Sequence, residues 1–162
     1  MSKVFKLSAV ALLLSALVAI LLVPSKEEVL DDFYHGVRSE EQLMDPLIVH
    51  SRRVADSIAA KVADPEMPRR LYAITFLGVD KTTSALDVLQ SIADDDHEPP
   101  IIRSAALKSA FQISGETGFQ LAEKYKNRED VLGDVSKSIV EGTLVTKERS
   151  FWDACLGRAG DH

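Results

Sequence analysis

A single cysteine in 162 residues leaves this chain without any internal disulfide. That residue, Cys155, reads first as a small buried hydrophobe, with an intermolecular bridge as the alternative. Histidine is scarce too: His35, His50, His97 and His162 are scattered, so no zinc-ligand spacing forms. Aromatic residues make up only 6% of the chain, and several fall at core positions, which argues against a base-stacking platform. There is no glycine-rich phosphate loop. Ser57, Ser104 and Ser109 have no His–Asp pair at a suggestive spacing, so nucleophilic catalysis has no support and no enzyme activity is expected. No useful stretch alternates with a period of two, so no sheet is expected. A basic excess is also missing. Lys3 and Lys6 lie in the first 24 residues, which hold no acid; the remainder sets 17 basic against 25 acidic residues, a net charge of −8. That exterior disfavours nucleic acid as a partner. It leaves Arg52-Arg53 and Arg69-Arg70 as local basic spots for acidic patches.

What the chain does have is an apolar run over residues 7–23, interrupted only by Ser8 and Ser15 and free of charge throughout. As a helix it would rise about 26 Å, just short of the ~30 Å hydrocarbon core. Lys3 and Lys6 precede it, while Glu27, Glu28, Asp31 and Asp32 follow. The positive-inside rule then expects a single-pass membrane protein with a cytoplasmic N-terminus and an extracytoplasmic remainder, periplasmic if bacterial. The alternative is a signal peptide cleaved near Val23-Pro24-Ser25, giving a secreted binding module.

Two stretches repeat at an offset of 33 residues. Arg70 falls on Arg103, Ala73 on Ala106, Ile74 on Leu107 and Leu77 on Ala110. A second block sets Leu86 on Phe119, Val88 on Leu121, Leu89 on Ala122 and Ile92 on Tyr125. A period of this size marks stacked supersecondary units, each needing neighbours to bury its apolar face. The expected organisation is an anchor over 1–24, a helical pair over 25–63, repeats over 64–142 and a C-terminal cap over 143–162.

Within this frame Ser39-Glu40-Glu41-Gln42 reads as a capping box opening a second helix. Gly78 is placed to end a helix over 68–77, and Thr82 or Thr83 to cap the next. Pro100 suits a first helical turn, and Asn127 a cap for a weaker third unit. Phe151, Trp152 and Leu156 are expected to fold back over the open end of the stack.

The run Asp94-Asp95-Asp96-His97-Glu98-Pro99-Pro100-Ile101-Ile102-Arg103, continuing through Ala105, Ala106 and Leu107, resembles the short HEAT-like unit also found in phycobilisome lyases. Residues 64–78 resemble the same pattern through Arg70, Ala73, Ile74, Leu77 and Gly78. The resemblance covers roughly residues 64–140. It implies an all-α fold, an α-α superhelix, in which an acidic loop residue, Asp94 or Asp96, pairs with Arg103 or Arg70. By analogy alone it also implies a lyase-like handling of a tetrapyrrole.

The acidic run 94–98 lacks the turn glycine and closing glutamate of an EF-hand, so it reads as a solvated capping loop, and no metal or cofactor is expected. Ser84, Asp87 and Ser91 fall at i, i+3 and i+7 of one helix, with Thr117, Gln120 and Lys124 set 33 residues on. These six are the candidate partner-binding residues. Arg52, Arg53 and Asp56 form a second candidate face. The function expected is a membrane-tethered adaptor or assembly scaffold that holds another protein, a membrane complex among the options.

Overall fold

A computed structural model describes residues 23–146 and 150–156. Among them the elements are helical throughout, and no strand is present. The α-helices are α1 (Lys26–His35), α2 (Asp45–Val49), α3 (Ser51–Lys61), α4 (Arg70–Val79), α5 (Leu86–Asp94), α6 (Pro100–Ile113), α7 (Gly115–Tyr125), α8 (Val131–Val140) and α9 (Phe151–Leu156). Short 3-10 turns cover Glu40–Gln42 and Thr83–Ala85.

The all-α expectation holds, but the membrane helix that formed part of it does not. Among the described residues no helix is long and apolar enough to cross a membrane. The longest, α6, has 14 residues and rises about 21 Å, well short of the ~30 Å core. It also carries Arg103 and Lys108. Residues 7–22 of the expected span lie outside the described residues. The single-pass architecture, and the membrane localisation drawn from it, are therefore withdrawn.

Residues 33 apart do occupy equivalent places. Arg70 opens α4 and Arg103 lies in the first turn of α6; both are buried. Ala73 and Ala106, and Ile74 and Leu107, are completely buried in matching positions. So are Leu89 and Ala122 one layer out, followed by Ile92 and Tyr125. The pair Leu86 and Phe119 departs from this: Leu86 is half-buried and Phe119 is exposed. Helix α6 is the hub, packed against α4, α5, α7 and α8. Being enclosed on several sides explains why its buried residues spread around it rather than along one stripe.

Close approach of these helices depends on two glycines. A Cβ at Gly78 of α4 would sit 2.7 Å from the Ser109 Cα of α6, and Ser109 Oγ donates to Ile74 O at 2.9 Å beside it. A Cβ at Gly118 of α7 would lie 2.3 Å from the Phe111 Cα. Helix propensity alone credits Gly118→Ala with about 1 kcal/mol of stabilisation. Steric overlap with backbone dominates instead, so urea unfolding of this variant is expected to show a net loss of about 1–2 kcal/mol. Gly78, expected to stop its helix, is internal to it; α4 runs on to Val79.

Local signals were met unevenly. Ser25 caps α1 in a complete capping box with Glu28, and Pro100 does start α6. Ser39 makes no cap: its hydroxyl donates to Gln42 Oε1, and a 3-10 turn follows instead of a helix. Thr82 makes no side-chain cap either, its hydroxyl donating to Asp80 at 2.6 Å. The cap of α8 is Asp130, accepting from the Gly133 N–H at 3.1 Å, rather than Asn127. The C-terminal helix corrects a larger expectation. Helix α9 packs on α2, at the N-terminal side of the fold, rather than over the end of the repeats at α8.

Candidate functional site

The six predicted partner-binding residues lie on the outer helices of the stack, but they do not share one environment. Ser84 sits in the 3-10 turn before α5, not in the helix, and its Oγ donates to Asp56 Oδ1 at 2.9 Å. Asp87 and Ser91 are exposed on α5, with Ser91 Oγ donating to the Asp87 carbonyl at 3.0 Å. Thr117 is half-buried in the first turn of α7 and engaged in its cap, its N–H meeting Ser114 Oγ at 3.3 Å. Gln120 and Lys124 are exposed further along α7. Lys124 Nζ pairs with Asp94 Oδ1 at 2.9 Å, which ties the C-terminal end of α7 to that of α5. The Ser84–Asp56 bond does the same between α5's lead-in turn and α3, joining the two candidate faces into one. Asp87 and Ser91 on α5 and Gln120 on α7 are therefore exposed and open, on helices linked to neighbours by Ser84–Asp56 and Lys124–Asp94.

Of the two expected basic spots, Arg69-Arg70 is spent inside the fold, while Arg52 and Arg53 stay exposed. Arg69 is in the left-handed region (φ 56), a cost of about 1–2 kcal/mol. In that pose its guanidinium donates to Phe33 O at 2.5 Å and Gly36 O at 2.7 Å. It therefore satisfies carbonyls at the negative end of α1 and holds that helix to the stack. Arg70 donates through Nε to Val62 O at 2.7 Å and through both terminal nitrogens to Glu98, at 2.8 and 2.6 Å. Arg53 donates to Pro24 O at 2.9 Å.

The acidic run 94–98 is the other half of this arrangement. Arg103 repeats Arg70: its Nε donates to Ala93 O at 2.9 Å and Nη1 to Asp96 Oδ1 at 2.5 Å. Its guanidinium carbon lies 5.2 Å from the Tyr125 ring centre, a cation–π contact. Tyr125 Oη donates to Asp94, the residue that also takes Lys124. One acid run thus fastens α4, α5, α6 and α7 through Glu98, Asp96 and Asp94. Among the described residues no group of three or more His, Cys, Asp or Glu side chains is placed to hold a metal ion.

Several of these carboxyls are held below their ordinary pKa. At Asp94 burial pushes the value up, but hydrogen bonds from Tyr125 and Lys124 outweigh it. The Arg128 side chain lowers Asp130, and the His97 backbone N–H lowers Asp95. A folded-state pKa below the unfolded one, about 3.9 for Asp, gives stability that is complete above that value. It is lost as pH falls through the folded pKa. Denaturant midpoints are therefore expected to be level above about pH 5 and to fall below about pH 4. Asp94→Asn should flatten part of that acid slope.

Sequence reasoning missed a different region. Helix α9 is flanked by a cleft of about 470 Å³, lined in part by Pro24, Glu28, Asp32, Ala154 and Cys155. A groove of about 440 Å³, lined in part by His50, Arg52, Arg53 and Phe151, lies alongside, the two meeting at Val49 and His50. Cys155 is exposed rather than buried, because α9 turns Ala154 to the body instead. Burial, followed by the Arg53 charge, lowers the His50 pKa. No local pattern signals these cavities, since they are assembled from both ends of the described chain. Comparison of the chain with protein-family models, curated proteins and solved structures gives no match.

Proposed function

We propose that this chain is a non-catalytic interaction module built of HEAT-like units, which holds a protein partner against the polar strip on α3, α5 and α7. The observation that carries the reading is the strip itself. Asp87, Ser91 and Gln120 stay exposed on it. Ser84–Asp56 and Lys124–Asp94 bonds fix the relative positions of the helices that present it. A rigid, pre-ordered polar surface loses little entropy on binding. The HEAT-like assignment rests on Arg70 and Arg103, buried one repeat apart, each with its Nε on a carbonyl at the end of the helix before it. Their carboxylate partners differ, Arg70 reaching forward to Glu98 and Arg103 back to Asp96.

The test is Asp87→Lys combined with Gln120→Glu, followed by quantitative affinity purification beside the unaltered chain. Partner capture should fall several-fold while the free energy of unfolding changes by no more than the ~0.5 kcal/mol typical of surface changes. Equal capture by both proteins would remove the strip as the binding face.

A further inference from the structure

We infer that α9 is the centre of a symmetric contact between two copies of this chain. Helix α9 has six residues and buries only Ala154 against the body. Phe151, Trp152 and Leu156 are left 48%, 68% and 57% exposed. Three large apolar side chains on so short a helix form a patch that water disfavours and that marks an interaction surface.

The flanks say what covers it. On the cleft side, α1 presents Glu28 and Asp32 to the cavity, with Glu27 and Asp31 exposed on the same helix. Arg38 is the basic residue of that cleft and is already paired with Asp32 at 2.5 Å. On the groove side lie Arg52 and Arg53, with His50 between the two cavities. Helix α9 thus lines a cleft that holds the acids of α1 and a groove that holds the arginines of α3, and Arg53 bridges the two where it donates to Pro24 O at 2.9 Å. A two-fold axis through the apolar patch of α9 brings the acidic flank of one copy onto the basic flank of the other, twice over. A lipid surface of either charge would meet one flank of its own sign.

The experiment uses the full chain in sedimentation velocity over a concentration series. A dimer is expected. Arg52→Glu and Glu28→Lys should each raise its dissociation constant about tenfold, roughly 1.4 kcal/mol apiece. The two changes together should restore association, because each reversed charge then faces another reversed charge. Trp152→Asp should abolish the dimer. Cys155, exposed on the same helix, supplies a covalent readout: a short bismaleimide should join two unaltered chains and leave Cys155→Ser unlinked. Association indifferent to the charge reversals would overturn the inference. So would a monomer whose Trp152 is shielded from acrylamide, which would mean that the chain covers its own helix. Quenching of Trp152 by vesicles of brominated phosphatidylcholine, without dimer formation, would assign the face to lipid instead.

Discussion

Glu98→Ala is expected to lower the free energy of unfolding by about 3–5 kcal/mol in urea titrations. Glu98 and Arg70 are 11% and 7% exposed, and the carboxylate takes both terminal nitrogens of the guanidinium. Removing the acid leaves a buried cation with one carbonyl, Val62 O, as its remaining partner. The cost is dominated by that stranded charge rather than by the lost attraction. Asp96→Ala is the companion case. Its own carboxylate is 80% exposed, but Arg103 is only 3% exposed and its Nη2 already lacks a hydrogen-bond partner. Without Asp96 the cation keeps the Ala93 carbonyl and the Tyr125 ring. A loss of more than the ~1 kcal/mol of an exposed pair is expected there too, smaller than that of Glu98→Ala because one nitrogen rather than two loses its carboxylate.

Leu107→Ala should cost about 3–5 kcal/mol, toward the upper part of the usual range for such truncations. Leu107 is completely buried on α6, the helix that packs on α4, α5, α7 and α8. A cavity there is enclosed by helices that are themselves locked together, by Ser109 to Ile74 and by the tight approach of Gly118 to Phe111. Little collapse can offset the lost contacts, and residual cavity volume sets the penalty. Against a total stability of the order of 5–15 kcal/mol, either variant should leave a chain that is visibly less resistant to heat.

The repeat was the most legible part of the sequence. Arg70 and Arg103, Ala73 and Ala106, Ile74 and Leu107 fall in equivalent buried places because burial depends on helical period, which a 33-residue offset preserves. The caps were harder to read. Ser39, Thr82 and Asn127 each fit a local rule, yet Ser39 and Thr82 bond to Gln42 and Asp80 side chains, and Asp130 takes the third cap. Side-chain competition of that kind is decided by a few tenths of an ångström in loop geometry, to which residue type is blind.

The candidate strip was half legible. Spacing placed Asp87, Ser91 and Gln120 on open helix faces, but it could not foresee that Thr117 would be drawn into the Ser114 cap or Lys124 into a pair with Asp94. Arg69 and Arg70 misled for a related reason, while Arg52 and Arg53 are exposed. Charge suggests surface, whereas Arg69 and Arg70 find carbonyls and a carboxylate inside. Nothing local in the sequence joins α9 to α2, since that contact spans about a hundred residues and depends on the course of the whole chain. The uncharged run at 7–23 shows the limit of composition. It suggested a membrane span, and no helix among the described residues supplies one.

The central claim is that neighbouring units are fastened by a buried arginine, Arg70, reaching across to Glu98 in the next unit's acidic loop. A double-mutant cycle on Arg70→Met and Glu98→Ala, read by urea unfolding, tests it most directly. Strong coupling, about 2 kcal/mol or more, is the predicted result, with the double variant more stable than Glu98→Ala alone. Effects that simply add, to within about 0.5 kcal/mol, would contradict it.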